Sequence, residues 1–91
     1  MREKAIETYL RESVKRKGGM AVKQDWVSVR GAPDRLVLMA EGKIVFVELK
    51  APGQKPKPHQ ERLHKKLRGL GVRVEVIDSK QQVDDLLNEI T

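Results

Sequence analysis

Apolar positions along the chain predict helices that alternate with short strands. In residues 2–17 they recur at the three- and four-residue spacing of one helix face, and a glycine pair ends the run. A second helix is predicted to begin at Pro58 and to end near Gly69, and Ser79 with Gln82 forms the capping box of a third. The predicted inner faces are Ile6, Tyr9, Leu10, Ser13 and Val14; Gln60, Leu63, Leu67 and Leu70; and Val83, Leu86, Leu87 and Ile90.

Four segments rich in β-branched and aromatic residues are predicted as strands. They are Met20–Val29, Leu36–Met39, Lys43–Leu49 and Arg73–Ile77. The second and third are apolar at both alternating positions, which predicts central strands covered on both faces. The resulting order is α-β-β-β-α-β-α. This alternation indicates an α/β fold with a central mixed sheet flanked by helices.

The loop between the two central strands predicts their register. Ala40–Gly42 has the length of a three-residue hairpin loop, with a glycine at the last position, where the left-handed conformation is required. Such a loop pairs Met39 with Lys43. Counting outward along both strands places Asp34 opposite Glu48 on one face of the hairpin.

This register brings two like charges together. Carboxylates directly opposite each other on a ladder repel, and a divalent metal held by Asp34 and Glu48 would neutralise the repulsion. Lys50 projects from the same face, two residues beyond Glu48. Alternatively, Asp34 is a turn residue and Glu48 pairs with Lys50. A two-residue turn would instead place Arg35 opposite Glu48.

Composition narrows the class of protein. The 91 residues carry 19 Lys and Arg against 13 Asp and Glu, a formal net charge of +6, which favours a polyanionic partner. The absence of cysteine excludes disulfides, a thiol nucleophile and Cys-based metal sites. His59 and His64 do not share a helix face, so no zinc site is expected.

Length and hydropathy predict one domain over residues 1–91 of an intracellular, cytoplasmic protein. The chain is short for more than one core. Its apolar runs are too short to cross a bilayer, and the N-terminus lacks the apolar segment of a signal peptide.

Residues at the two strand ends resemble a known nuclease motif. Pro33-Asp34 followed by Glu48-Leu49-Lys50 is similar to the PD-(D/E)xK motif. Gly31–Arg35 together with Gln60 resembles the virus-type replication-repair nuclease (VRR-NUC) family of that superfamily. The element order also resembles its restriction-endonuclease-like core, so the resemblance covers nearly the whole chain. It implies a metal-dependent nuclease and leaves a phage as one source of the chain.

The resemblance implies roles for the motif residues. Asp34 and Glu48 would ligate Mg²⁺ or Mn²⁺. The backbone carbonyl of Leu49 would be a further ligand, and Lys50 would orient the attacking water.

Two residues outside the motif also match the family. Glu7 matches an acidic residue on the first helix that is catalytic and ligates the metal, and Gln60 matches a glutamine on the second helix. Alternatively, Glu7 is a solvated neighbour of Arg11, and Gln60 is a polar residue in the first turn of a helix.

Basic residues that follow the motif would contact the DNA backbone, although such a run is usually a solvated face. They are Lys55, Lys57, Arg62, Lys65, Lys66 and Arg68.

The sequence thus predicts a DNA endonuclease that selects its substrate by backbone shape, because no base-reading motif is present. Stand-alone members of the resembled family imply a resolvase of four-way (Holliday) junctions, and two symmetric cuts imply a homodimer. Trp26 is predicted at the dimer interface, with ordinary core packing as the alternative. Other functions left open are a non-catalytic nucleic-acid-binding module and a nuclease of flapped or linear DNA or of RNA.

Overall fold

A computed structural model describes residues 2–91, which form a mixed four-stranded sheet flanked by helices. The elements are α1 (Glu3–Arg16), β1 (Met20–Lys23), β2 (Arg35–Met39), β3 (Lys43–Leu49), α2 (Pro58–Gly69), β4 (Val74–Ile77) and α3 (Lys80–Ile90). The strands lie in the order β1-β2-β3-β4; the first three are antiparallel and β4 runs parallel to β3. The predicted element order and α/β class are confirmed. Within residues 2–91 no helix is both long and apolar enough to cross a membrane.

The main core lies between one face of the sheet and helices α1 and α3. Side chains alternate along a strand, so every second residue of β2 and β3 points into this layer. Leu10 of α1, Val37 and Val47 of the sheet and Val83 of α3 are all fully buried there. Burial of these side chains is the main stabilising contribution to the fold.

Helix α2 lies along β4 on the opposite face of the sheet. Leu67 of the helix and Val74 of the strand are both buried. The Arg68 guanidinium donates two hydrogen bonds to the Val74 carbonyl, at 3.2 and 2.8 Å, which ties the end of the helix to the start of the strand.

The β2–β3 hairpin closes through the predicted three-residue loop. Met39 lies opposite Lys43, and Gly42 has φ +71°, so both predictions for this turn are confirmed. Glu41 also has a positive φ, +66°. A residue with a side chain is strained at this φ, so Glu41 is a strained residue in the turn that joins the paired strands.

The register of the hairpin is the predicted one. Leu36 lies opposite Phe46, and continuing two residues along the same face sets Asp34, just before β2, opposite Glu48. Arg35 projects from the other face of the sheet, so the alternative in which it lies opposite Glu48 is excluded.

The sequence predicts a strand over Met20–Val29, but β1 is shorter and ends at Lys23. The following residues form a loop that folds back onto the start of β2. The backbone N–H of Gln24 donates to the Asp34 carbonyl at 3.1 Å, and its side-chain amide donates to the Pro33 carbonyl at 2.9 Å. Proline has no N–H to contribute to a ladder, so strand pairing stops there.

The prediction that both faces of the central strands are covered is wrong for the β1–β3 half of the sheet. Helix α2 covers only the side toward β4. On the open side Met20 is 61%, Ile44 51% and Val22 38% exposed. Leu70, predicted on the inner face of α2, is 72% exposed because the helix ends one residue before it.

Candidate functional site

Asp34 and Glu48 meet at the end of the β2–β3 hairpin, on the face that α1 and α3 do not cover. Asp34 is exposed, and its Oδ2 accepts a hydrogen bond from the backbone N–H of Leu49 at 2.9 Å. The bond fixes Asp34 beside the end of β3. The negative charge of Asp34 also helps to raise the pKa of Glu48, so the two carboxylates interact.

Glu48 is a buried carboxylate with one unpartnered oxygen. The residue is 1% exposed, and its Oε2 accepts hydrogen bonds from Lys50 Nζ at 3.0 Å and Gln60 Nε2 at 3.1 Å. Its Oε1 is buried without a hydrogen-bond partner. A buried acceptor left in this way costs free energy. The arrangement therefore leaves a position that a cation or a water would satisfy.

Burial is the main reason why the pKa of Glu48 lies above its ordinary value. Desolvation disfavours the charged form, and the neighbouring charge of Asp34 acts in the same direction. The hydrogen bond and positive charge of Lys50 oppose both effects. A cation between the carboxylates would stabilise the ionised form of Glu48 further.

Gln60 is held by both ends of its side-chain amide. Its Oε1 accepts a hydrogen bond from the backbone N–H of Lys57 at 2.8 Å, which caps the start of α2. Its Nε2 donates to Glu48. Pro58 opens the helix at the position where a missing N–H costs nothing, and so places Gln60 over the end of β3. The structure brings Gln60 to the predicted site.

The donor set suits a hard divalent cation. Within residues 2–91 no group of three or more His, Asp or Glu side chains is arranged to hold a metal by itself. Magnesium is commonly bound by one or two carboxylates, with water and substrate phosphate completing its shell. Asp34 and the free oxygen of Glu48 fit this pattern.

Glu7 does not contact this pair. Its carboxylate lies 2.5 Å from Arg35 Nη2 and 3.9 Å from Arg11 Nε, and Arg35 projects from the opposite face of the sheet. In this structure Glu7 forms an ion pair with Arg35, and its catalytic, metal-binding role stays a prediction. The negative charge of Glu3, one turn earlier on α1, makes a small contribution to the raised pKa of Glu48.

An open cleft of about 510 Å³ leads to the carboxylate pair. One wall is the loop that joins β1 to β2, the other is the first turn of α2, and Asp34 and Gln60 are among its lining residues. The two walls approach each other closely at Gly31. Its φ is +85°, and a Cβ there would lie 3.1 Å from the Gln60 Cα and from the His59 carbonyl oxygen. Any other residue would be strained at this φ, and its Cβ would require the loop and α2 to move apart by a few tenths of an ångström.

The predicted DNA-contacting residues separate into two groups. Lys55 and Lys65 line a groove of about 510 Å³ between α2 and β4, together with Arg68, Glu61 and Asp78. The other predicted contacts are exposed outside this groove: Lys57, Arg62 and Lys66.

His64 is a buried residue that the hydrophobic pattern did not identify. It is 1% exposed on α2, and its Nε2 has no hydrogen-bond partner. Burial lowers its pKa, and the charges of Arg68 and Lys50 lower it further. Both effects favour the neutral imidazole. Its position one turn after Gln60 was the only signal for its burial.

Comparison with known proteins decides the family. The VRR-NUC domain profile matches residues 2–81. The chain belongs to the VRR-NUC family. It is similar to "Putative nuclease p44" of Acyrthosiphon pisum secondary endosymbiont phage 1, with 50% identity over 80 residues, which are 88% of this chain and 86% of that protein.

A solved structure described as a VRR_NUC domain has the same fold. It superposes with a TM-score of 0.88 at 39% sequence identity and covers 94% of each chain. The family assignment makes this VRR-NUC protein a nuclease, and the substrate of a nuclease is a nucleic acid. A relative from a phage is consistent with a phage-encoded protein.

Proposed function

We propose that this VRR-NUC protein is a metal-dependent DNA endonuclease that resolves four-way junctions as a homodimer. The observation that carries the metal-dependent reaction is the buried, unpartnered Oε1 of Glu48 opposite Asp34. A protein that only bound nucleic acid would gain nothing from two carboxylates beside a phosphate, because they repel it. The paired acids therefore favour catalysis over the non-catalytic alternative.

Asp34 and Glu48 would hold the ion, with the Leu49 carbonyl as the proposed additional ligand. Mg²⁺ or Mn²⁺ supplies a more acidic bound water and charge stabilisation at the scissile phosphate. The chain's own contribution is positional. The Leu49 N–H fixes Asp34, and Gln60 and Lys50 fix one oxygen of Glu48, so that its other oxygen remains available.

Lys50 would act on the attacking water. Its ammonium group lies 3.0 Å from Glu48 Oε2 and its side chain is 15% exposed, so it is partly shielded from bulk solvent. A positive charge held there would orient a water by hydrogen bonding and favour its deprotonation. Gln60 would maintain the orientation of Glu48 during the reaction.

Binding of DNA independently of its sequence is proposed from charge and from the lack of a base-reading motif, whereas the preference for four-way junctions rests on the resemblance to stand-alone members of the family. The net charge of +6 and the exposed basic residues after the motif suit phosphate contacts, which are independent of sequence. Two symmetric cuts across a four-way junction require two active sites. A homodimer with two-fold symmetry supplies them, since closed two-fold assemblies are the commonest oligomers.

A panel of labelled linear, nicked, flapped and four-way DNA, with matched RNA duplexes, tests the proposal. We expect cleavage of the four-way junction in Mg²⁺, none in EDTA, and slower cleavage of linear DNA. The control is Glu48→Gln, which should bind the junction without cutting it. Junction binding without cleavage by the wild type in both Mg²⁺ and Mn²⁺ would favour the non-catalytic module, and preferential cleavage of RNA would contradict the DNA assignment.

A further inference from the structure

The groove between α2 and β4, which we call the α2–β4 groove, is separate from the cleft that leads to Asp34. The two share no lining residue. The groove has a volume of about 510 Å³, within the range of roughly 300–1,000 Å³ that is typical of small-molecule sites. One wall is the segment before α2, and the Gly53 N–H ties that segment to the end of β4 by donating to Asp78 Oδ2 at 3.0 Å. The groove is therefore large enough for a small organic ligand.

His64 gives the α2–β4 groove a buried polar atom without a partner. The residue lines the groove and is 1% exposed, and its Nε2 forms no hydrogen bond with any part of residues 2–91. A buried polar atom in this state costs free energy, and a ligand that hydrogen-bonds to it removes that cost. The interior of the groove therefore favours a ligand with a polar group that can pair with an imidazole nitrogen.

Charged and apolar groups occupy different parts of the groove. Lys55 and Lys65 are exposed at its mouth, and neither forms an ion pair within the described part of the chain. Pro56 and Val76 are half-buried and supply apolar surface farther in, next to the half-buried carboxylate of Asp78. This distribution suits a ligand with an anionic end outside and a flat, uncharged, polar-edged end inside.

A nucleotide combines these properties. Its phosphate is anionic, the faces of its base are apolar, and the edge of the base carries hydrogen-bond donors and acceptors. One nitrogen of a neutral imidazole donates and the other accepts, so such an edge can pair with His64 Nε2 in either tautomer. Inorganic phosphate lacks the apolar faces, and the carboxylates of Glu61 and Asp78 would repel it inside the groove.

We propose that the α2–β4 groove binds one unpaired nucleotide of a DNA strand. The base would lie against Val76 and pair with His64, and the phosphate would contact Lys55 and Lys65 at the mouth.

The groove adjoins the proposed active site. Val76 on β4 lies opposite Glu48 on β3, and His64 follows Gln60 by four residues, about 6 Å along the axis of α2. A nucleotide in the groove would therefore be a near neighbour of the phosphate that is cut. Unpaired nucleotides of this kind occur where strands leave a duplex at a branch. This consequence for cleavage rests on the proposed function, whereas binding of the nucleotide does not.

Imidazole ¹⁵N NMR spectra test the contact directly, because the chain has only two histidines. The variant His59→Gln assigns the signals of His64. In EDTA, at least one of the four deoxynucleoside monophosphates should shift the Nε2 signal of His64, with a dissociation constant of about 1 mM or lower. Inorganic phosphate should leave that signal unchanged. A signal that none of the four nucleotides shifts, or that inorganic phosphate shifts equally, would overturn the proposal.

Lysine variants separate the phosphate contact from the base contact. Replacing both Lys55 and Lys65 by Gln should weaken binding of the monophosphate at least about fivefold, because two charge-assisted contacts are lost. Binding of the corresponding deoxynucleoside, which has no phosphate, should not change. The matched control replaces Lys4 and Lys15, two exposed lysines of α1, by Gln. Equal weakening of monophosphate binding by both double variants would mean that net charge alone attracts the nucleotide, and would overturn the proposal.

A variant of His64 tests the base contact and its effect on cleavage. His64→Leu should weaken binding of both the monophosphate and the deoxynucleoside at least about fivefold, while circular dichroism shows that it remains folded. It should also slow cleavage of branched DNA more than cleavage of linear duplex. If nucleotides bind the wild type as expected and no DNA is cleaved, the proposed function fails and the groove assignment stands. If DNA is cleaved and no nucleotide shifts the His64 signal, the groove assignment fails and the proposed function stands.

Discussion

One face of the sheet contributes mainly to stability, whereas the other carries the candidate functional site. On the face that α1 and α3 cover, Val37, Val45 and Val47 are almost fully buried and contribute to stability. On the other face, the same two strands carry Leu36 and Phe46 and then the acidic pair. Because strand side chains alternate, neighbouring residues of one strand lie on different faces: one packs in the core and the next lies on the face of the candidate site.

Charge is treated differently on the two faces. The Glu7–Arg35 pair on the covered face is closed, because each charge has an opposite partner at 2.5 Å. On the other face Glu48 shares one oxygen with Lys50 and Gln60 and leaves the other without a partner. The Glu7–Arg35 pair has no free charge left for a ligand, whereas the unpartnered oxygen of Glu48 can bind a cation. This unpartnered oxygen distinguishes the candidate site.

The largest expected effect is loss of cleavage without loss of fold. Glu48→Gln removes the charge that would hold the metal but keeps the shape of the side chain. We expect the cleavage rate to fall at least about 10³-fold, because metal catalysis supplies several kcal/mol. Thermal unfolding monitored by circular dichroism, in parallel with the cleavage assay, should show equal or greater stability, because a buried charge is removed. A variant that cuts at the wild-type rate would exclude Glu48 from the reaction.

The opposite result is expected from the covered face. Leu10→Ala should lower the free energy of unfolding by about 2–5 kcal/mol, because it leaves a cavity in the core. Ile44→Ala, on the half-exposed side, should cost less than about 1.5 kcal/mol under conditions in which the protein is monomeric. Urea denaturation measures both. Similar losses at the two positions would show that the open side of the β1–β3 half of the sheet is packed in solution.

The hairpin was the most predictable part of the molecule. The length of Ala40–Gly42 and its final glycine determine which residues face each other, and that register places Asp34 opposite Glu48. The information is local, because it depends on turn geometry and on the two-residue period of strands. The core of the fold and the position of the acidic pair could therefore be predicted from the sequence.

Features that depend on tertiary contacts could not be predicted in this way. The loop that follows β1 is held by Gln24, whose side chain bonds to a carbonyl nine residues away. The need for Gly31 arises from its close approach to α2. The four-residue spacing of Glu7 and Arg11 predicts that they are neighbours on the helix, but it cannot predict the ion pair of Glu7 with Arg35, which is 28 residues away. The partners of Gly31 and Glu7 lie on another element.

A smaller effect distinguishes Glu3 from Glu7, two of the three acidic residues of α1. Glu7→Gln should cost about 1–2 kcal/mol of stability by breaking the ion pair with Arg35, and should leave the cleavage rate within about twofold. Glu3→Gln should have little effect on stability. It should lower the pKa of Glu48, because one negative charge is removed. Urea denaturation and the pH dependence of cleavage measure these effects. Loss of cleavage in Glu7→Gln at full stability would restore Glu7 to the active site.

The smallest expected effect is a pH dependence of stability from His64. Its folded-state pKa lies below its unfolded value of about 6.5, because the buried imidazole resists protonation. Nearby charges act on this pKa in both directions. Arg68 and Lys50 lower it, whereas Glu61 and Asp34 raise it. The unfolded chain therefore binds more protons as the pH falls below about 6.5, and the free energy of unfolding decreases by at most about 1.4 kcal/mol per pH unit.

Glu48 acts with the opposite sign, so its contribution must be removed before that of His64 is measured. Its raised folded-state pKa makes the metal-free protein more stable as the pH falls. Urea denaturation of Glu48→Gln in EDTA between pH 7.5 and 5 should therefore show the destabilisation that His64 causes. Adding His64→Leu should reduce that slope and, at pH 7.5, leave stability equal or higher, because it replaces a buried nitrogen that has no partner. An unchanged slope would mean that His64 is protonated as easily in the folded protein as in the unfolded chain.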